Sequence, residues 1–218
     1  MRFLRVLGKF LISVGVGVLM FVAWTLWGTG IYTQQQQDEL ERAFDAQTPV
    51  RVDQGDSDLT VKVPESFAPE AGEAVFRLDI PKIDARYFVV EGVGTEDLKR
   101  GPGHYPSCRE GIERPFCTEF EEMWPGENGR VIVSGHRTTY GAPFFNVDKL
   151  VPGDEIIAET NWGTFTYEVS EKRIVQPDSL AIAIQSDVAE IVLTTCNPKY
   201  SAAQRLIVFA TLVEGEPA

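Results

Sequence analysis

The chain has 218 residues, enough for one hydrophobic core of ordinary size plus additional segments, and its composition (44% hydrophobic, 24% charged) is that of a globular protein. Its formal charge is −12, and this becomes −15 once the three cations at the N-terminus, Arg2, Arg5 and Lys9, are left out. Such a charge, with no basic stripe to offset it, disfavours binding to nucleic acid or to anionic lipid headgroups.

A long apolar run lies near the N-terminus. No charged residue occurs from Phe10 to Gln37, and this stretch is long enough to cross about 30 Å of hydrocarbon as a helix. Cations precede it and acidic residues follow, so the positive-inside rule predicts a cytoplasmic N-terminus (residues 1–9), a single transmembrane anchor (10–33) and an extracytoplasmic remainder. A cleaved signal peptide is the alternative. The run exceeds the usual length of about 7 to 15 apolar residues, however, and no A-x-A-like site follows.

Residues 34–73 are predicted to connect the anchor to the folded domain. Gln34 to Phe44 allows either a short helical extension of the anchor or a solvated stalk. Thr48 to Gly72 contains three prolines, many acidic residues and little periodicity, which indicates a linker. The folded domain is therefore predicted to cover residues 74–218.

Within this domain the patterns are those of short strands separated by glycine and proline turns. Helical pattern is limited to single turns at Glu96 to Arg100 and Phe145 to Leu150. An all-β barrel or sandwich is expected. The predicted strands are Val75 to Ile80, Tyr87 to Glu91, Arg130 to Ser134, Glu155 to Thr160, Thr164 to Lys172, Glu190 to Thr195 and Arg205 to Val213.

The three cysteines predict one disulfide and one free thiol. Cys108 and Cys117 lie in an irregular segment, and an exported protein favours a bridge between them. A zinc site that also uses His104 is the alternative, but the spacing does not match the usual C-x₂₋₄-C arrangements. Cys196 is then left unpaired.

Cys196 is predicted to lie at the end of a strand, on the same face as Val192 and Thr194. A hairpin after it would bring Arg205 near the thiol, where a fixed cation lowers a thiol pKa or stabilises an oxyanion. His136, in the polar turn "SGHRTTYGAPF", is placed like a catalytic base, although His104 is also available. A small buried cysteine and two surface polar residues form the plainer interpretation. Jointly the three residues predict a Cys-His-Arg site.

Several motifs resemble those of the sortases, most closely class E, the actinobacterial housekeeping type. "IVLTTCNP" followed by "RLIVFA" matches the nucleophile motif, and Gly135 to Phe144 (GHRTTYGAPF) matches the histidine motif without a gap. Shorter matches are "GPGHYP" at Gly101 to Pro106, Gly153-Asp154, and "QPD" at Gln176 to Asp178. The resemblance spans Ala74 to Leu212. Cys108 to Trp124 departs from it as an insertion with a cysteine pair, expected to form an extra wall of the substrate groove.

The resemblance implies a closed eight-stranded β-barrel and a cysteine transpeptidase. By position, Cys196 is the nucleophile, His136 the general acid/base, and Arg205 the group that positions substrate and steadies the oxyanion. Thr195 is expected to contact substrate, and His104 is not the base. No metal or other cofactor is implied, although some sortases use calcium.

The implied substrate is a secreted protein with an L-A/P-x-T-G-like sorting signal, cleaved between Thr and Gly and transferred to an amine of lipid-linked peptidoglycan. A pilus-polymerising sortase and a non-catalytic membrane-tethered binding module are the alternatives. A papain-like protease is disfavoured because its nucleophile precedes its histidine in the chain, whereas His136 precedes Cys196.

Overall fold

The computed structural model describes residues 2–109, 111–179 and 184–218. It begins with a nearly continuous helix made of α1 (Arg2–Ala23), a π-helical turn (Trp24–Gly28) and α2 (Thr29–Asp45). Within α1, Phe3–Ala23 is long and apolar enough to cross a membrane, and none of it is buried against the rest of the chain. This candidate span begins closer to the N-terminus than residues 10–33, the range that the sequence predicts.

Helix α2 packs on the outside of the folded domain. Leu40 is buried in an apolar cluster with Ala74, Phe88 and Val90, and Phe44 packs against the same cluster. The Gln37 side chain accepts a hydrogen bond from the Phe88 backbone N–H (2.7 Å) and donates to the Phe88 carbonyl (3.0 Å). Of the two possibilities that the sequence left open for Gln34 to Phe44, the structure therefore has the helix.

The segment after α2 also lies on the domain. It forms a small hairpin, β1 (Asp53–Gln54) with β2 (Val61–Lys62). Val61 and Val63 are buried in the main hydrophobic core, and the Phe67 ring makes edge contacts with two tryptophan rings at 4.9 and 5.1 Å. The domain boundary at residue 74 stays a prediction. The structure adds that the segment expected to be a linker contributes side chains to the core.

Eight strands close into a barrel, as the resemblance implied. The strand order is β10-β8-β7-β3-β4-β5-β6-β9, in which β4–β5 and β6–β9 are parallel pairs and the others are antiparallel. A short helix, α3 (Thr95–Arg100), and two 3₁₀ turns, Pro81–Ile83 and Val147–Lys149, connect strands. The strands are β3 (Ala74–Ile80), β4 (Ala85–Glu91), β5 (Gly103–His104), β6 (Arg130–Ser134), β7 (Glu155–Thr160), β8 (Gly163–Val175), β9 (Glu190–Asn197) and β10 (Gln204–Pro217).

Alternation along β9 separates two apolar clusters. Ile191 and Leu193 belong to the large cluster inside the barrel, whereas Val192 packs with Ile207 and Phe209 in a smaller cluster on the other face. Side chains two residues apart on a strand share a face, so Thr194 and Cys196 follow Val192 on the outer face. This is the division of β9 that the sequence predicts.

Candidate active site

The end of the barrel that carries the predicted site is built by the parallel pair β6 and β9. Ser134 pairs with Thr194, and the Gly135 N–H donates to the Thr194 carbonyl at 3.1 Å. Parallel strands end at the same edge of a sheet. His136 and Cys196, each two residues beyond this pair, therefore lie at the same end of the barrel, His136 in the loop after β6 and Cys196 still within β9.

Cys196 and Arg205 lie directly opposite each other on β9 and β10. Directly opposed residues on antiparallel strands point to the same face, with their Cβ atoms about 4.5–5.5 Å apart. Cys196 is a free, half-buried cysteine. The hairpin therefore brings a thiol and a guanidinium together on the outer face, as expected from the sequence.

The guanidinium of Arg205 is held by its own hairpin. Its Nη1 donates to the carbonyls of Ala202 (3.2 Å) and Gln204 (3.1 Å), and among the described residues its Nε and Nη2 have no hydrogen-bond partner. Its charge also reaches the phenol of Tyr105: burial raises the pKa of Tyr105, and Arg205 acts in the opposite direction. The side chain thus keeps free N–H groups for a ligand beside Cys196.

His136 is half-buried in the loop that follows β6. Its imidazole lies against the ring of Tyr140, with centroids 5.1 Å apart and planes inclined by 36°. Burial lowers the pKa of His136 below its usual value of 6.5. The imidazole is therefore predominantly neutral at neutral pH, which suits a base and leaves a small population able to act as an acid.

Arg137, which the sequence analysis did not single out, connects the histidine loop to the cysteine strand. It is 3% exposed, and its Nη1 donates to the backbone carbonyl of Cys196 at 3.2 Å. Its Nε donates to the Phe145 carbonyl at 3.0 Å, and its Nη2 pairs with the Asp148 carboxylate at 2.9 Å. The available signal was the arginine that directly follows the histidine in the "GHRTTYGAPF" motif.

Thr195 lies on the opposite face from Cys196 and is buried. Its hydroxyl donates to the Gly135 carbonyl at 2.7 Å. This bond fastens β9 to the start of the histidine loop. The contact with substrate expected for Thr195 stays a prediction.

A cavity of about 520 Å³ lies along the outer face. Ile132 lines it and pairs with Val192, which shares its face with Cys196. The other walls come from the segment between β5 and β6, which contains the Cys108–Cys117 disulfide, and from the segment after β8. The predicted disulfide is therefore present, and its segment borders the face that leads to Cys196. Tyr105, Cys117, Phe120, Pro177 and Ile184 are among the residues that line the cavity.

His104 belongs to a separate, buried polar cluster. The side chain is 1% exposed, and its Nδ1 lies 2.8 Å from Glu91 Oε2 and 4.0 Å from Glu122 Oε1. Burial, together with the neighbouring Glu91, raises the pKa of Glu122 to about 7. A histidine enclosed in this way is inaccessible to a peptide on the outer face.

The family model of the sortase domain matches residues 78–213. The chain belongs to the sortase family, whose members are cysteine transpeptidases. It is 32% identical to Sortase D of Bacillus subtilis over 213 residues, covering 96% of this chain and 98% of that one. It is 30% identical over 224 residues to Sortase SrtE1 of Streptomyces coelicolor, covering 98% of this chain and 58% of that longer relative.

Solved sortase structures show the same barrel. Sortase E1 of Streptomyces coelicolor, crystallised with a tripeptide in its active site, is 29% identical with a TM-score of 0.57, over 69% of this chain and 94% of that one. The Sortase D5 transpeptidase of Clostridium perfringens is 26% identical with a TM-score of 0.59, over 83% of this chain and 97% of that one. The similar sortases therefore include members named D as well as E.

Proposed function

We propose that this sortase is a membrane-anchored cysteine transpeptidase that cleaves an L-A/P-x-T-G-like sorting signal between Thr and Gly and transfers the protein to an amine of the cell wall. The observation that carries the proposal is the direct opposition of Cys196 and Arg205 on β9 and β10, at the sheet edge where the His136 loop begins. These three residue types are what thiol-mediated acyl transfer requires.

In the first step, the Cys196 thiolate attacks the carbonyl carbon of the signal threonine, and the carbonyl oxygen takes the negative charge. The free N–H groups of Arg205 lie on the same face as the sulfur and donate to this oxyanion. A fixed planar cation loses little entropy when it accepts such an anion, which favours arginine over lysine at this position.

In the second step, the imidazolium of His136 protonates the departing glycine amine, and the tetrahedral intermediate collapses to a Cys196 thioester. Because burial lowers the pKa of His136, imidazolium is the minor form at neutral pH. Slow turnover is therefore expected. An amine then attacks the thioester, neutral His136 accepts its proton, and the sulfur leaves as the thiolate, which restores the starting pair of thiolate and imidazolium.

The cavity beside this face gives the signal peptide a place to bind. Its lining is mostly apolar, with Ile132 on the strand and Phe120 and Ile184 on the flanking segments. A leucine and a proline or alanine at the start of the signal would bury apolar surface there, at about 25 cal/mol per Å². The threonine carbonyl would then lie toward Cys196.

For the membrane topology, we propose that α1 crosses the membrane with its N-terminus in the cytoplasm. The support is the apolar span Phe3–Ala23 and the charge asymmetry around the apolar run, with cations before it and acidic residues after it. The barrel is then extracytoplasmic, the compartment in which a disulfide such as Cys108–Cys117 is stable.

The test is a peptide-ligation assay with the full-length chain in detergent micelles. Labelled LAxTG and LPxTG peptides are incubated with and without an amine acceptor, and products are identified by mass spectrometry. Peptide joined to the amine, lost in Cys196→Ala, is the expected result. Cleavage without ligation would indicate a protease, and binding without any reaction would indicate a non-catalytic module.

A further inference from the structure

Three titratable side chains meet on the interior side of the barrel wall. Glu91 ends β4 and pairs with His104 of β5, and His104 pairs in turn with Val133, a member of the interior cluster. Glu122 comes from the segment between β5 and β6. One ligand atom from each of the three lies within 4.8 Å of the others. Cys196 lies on the outer face, so this cluster has no part in the chemistry proposed above.

The histidine in this cluster is oriented like a metal ligand. Its Nε2 lies 3.0 Å from the backbone carbonyl of Met123, and a carbonyl can only accept, so Nε2 carries the hydrogen. Nδ1 faces the two carboxylates and lies within hydrogen-bonding distance of Glu91 Oε2, so a bound metal ion would take the place of the proton between these two atoms. Histidines that bind metals usually donate their second ring N–H to a carbonyl or carboxylate in this way.

Two carboxylate oxygens in the cluster have unmet bonding capacity. Oε1 of Glu91 and Oε1 of Glu122 are buried and accept no hydrogen bond from the described residues. Glu91 is 1% exposed, so water does not compensate. Arg109 approaches both carboxylates, but at 4.0 and 3.9 Å, beyond hydrogen-bonding distance. A fully buried carboxylate oxygen without a donor, such as Oε1 of Glu91, is costly, and a bound cation removes that cost.

We propose that Glu91, His104 and Glu122 form a binding site for a divalent transition-metal ion, Zn²⁺ or Mn²⁺. One imidazole nitrogen and two carboxylates are ligands that these ions accept, whereas Ca²⁺ prefers six to eight oxygens. Metal–ligand distances of about 2.0–2.2 Å in a tetrahedral site place the ligand atoms about 3.3–3.6 Å apart. The separations from Nδ1, 2.8 and 4.0 Å, lie on either side of that range.

The ion would fasten the disulfide-containing segment to the barrel. Glu122 and Met123 lie at the end of this segment. The Glu122 carboxylate belongs to the cluster, and the Met123 carbonyl accepts a hydrogen bond from His104 Nε2. The middle of the same segment, including Cys117 and Phe120, lines the cavity on the outer face. Metal binding therefore links the interior of β4 and β5 to one wall of that cavity.

The test is calorimetric titration of the full-length chain in detergent micelles with Zn²⁺. It is done in the Cys196→Ala background, because a free thiol also binds zinc. The expected result is one equivalent of zinc bound, and a melting temperature raised by about 5 °C or more at a hundredfold excess over Kd. Glu122→Gln should weaken binding at least about 100-fold, since loss of an outer-shell partner alone costs 10–100-fold.

Glu119→Gln is the matched control, because Glu119 lies in the same segment, is exposed, and pairs with Arg114. It should bind zinc like the parent. Zinc affinity weaker than about 1 mM in the parent chain, or affinity unchanged in Glu122→Gln, overturns the proposal.

Glu91 is wholly buried and Glu91→Gln is at risk of misfolding, so the electron paramagnetic resonance spectrum of added Mn²⁺ provides the second measurement. It should show bound ion in the parent and free ion in Glu122→Gln, and identical spectra also overturn the proposal.

Discussion

The Nη1 of Arg137 donates a hydrogen bond to the backbone carbonyl of Cys196 across 3.2 Å. Arg137 directly follows His136 in the chain, so one side chain joins the loop of the proposed acid/base to the strand of the proposed nucleophile. Asp148 and the Phe145 carbonyl hold the other guanidinium nitrogens. The relative position of the two reacting groups therefore depends on a buried arginine that faces away from solvent.

Replacing Arg137 should damage both stability and catalysis. Arg137→Met keeps the apolar stem but leaves two part-buried carbonyls without these donors, at about 1–2 kcal/mol each. We expect the free energy of unfolding to fall by about 2–4 kcal/mol and kcat to fall with it. Denaturant unfolding and the ligation assay measure the two. Arg137→Lys should keep the positive charge but cannot make all the separate hydrogen bonds of the guanidinium, so full activity in that variant would contradict this role.

Arg205→Lys should lower kcat/KM about 10²–10³-fold, the usual cost of losing an oxyanion donor, with little change in stability. Lysine retains the charge but lacks the planar set of donors opposite Cys196. Arg173→Lys is the matched control, because Arg173 is an exposed arginine on the neighbouring strand β8. Equal losses in the two variants would show that the loss does not come from the donor geometry opposite Cys196.

The imidazole of His136 should titrate below 6.5. Burial lowers its pKa, so the folded chain binds this proton more weakly than the unfolded chain. The contribution of His136 to stability is then lost as pH falls through 6.5 toward the lower folded value. Proton NMR of the Cys196→Ala chain measures the pKa directly, with the signal assigned by its absence in His136→Gln. A pKa at or above 6.5 would be inconsistent with a half-buried imidazole that has no hydrogen-bond partner in the described part of the chain.

Removing the disulfide should destabilise the chain by about 2.5–3 kcal/mol, from the entropy of closing a loop of this length. The double variant Cys108→Ser, Cys117→Ser should retain measurable ligation, because neither cysteine is one of the three proposed catalytic residues. An increase in KM larger than the decrease in kcat is expected, since the segment lines the cavity. Thermal unfolding and steady-state kinetics test this, and complete loss of activity would mean that the segment holds the catalytic groups themselves.

Gln37→Leu should loosen α2 from the barrel. The amide makes hydrogen bonds with both backbone groups of Phe88 and with the Arg100 carbonyl at 3.0 Å, and leucine makes none of them. Faster hydrogen exchange is expected at Phe88 and also at Tyr140, whose N–H donates to the Thr29 hydroxyl at the start of α2. Gln35→Leu, on the exposed side of the same helix, should leave exchange unchanged.

Most strands were predicted from alternation and turn residues, and the exceptions have physical causes. β5 is two residues long and pairs in parallel with β4, so it has no periodicity to detect. The end of β10 contains two acidic residues and a glycine, and is a strand because it pairs with β8. The segment before residue 74 has the prolines and acids of a linker, but a few apolar side chains, such as Val61 and Phe67, are enough to hold it to the core.

The sequence predicts the part of the candidate site that depends on pairing between consecutive strands. A hairpin places Cys196 opposite Arg205, and this can be deduced from spacing alone. Arg137 donates to backbone carbonyls. Because every residue has one, the sequence does not indicate which of them Arg137 contacts. The meeting of Glu91 with His104 depends on a parallel register that sequence patterns do not encode.

Helix α2 begins only six residues after α1 ends, and its first residue already contacts the loop of His136 through Tyr140. At about 1.5 Å per residue this is a rise of about 9 Å. With α1 in the bilayer, as proposed, this short connection keeps the barrel close to the membrane surface. On that proposal the site lies close to the headgroup layer, where donors and acceptors that are held in the membrane reach it by diffusion in two dimensions.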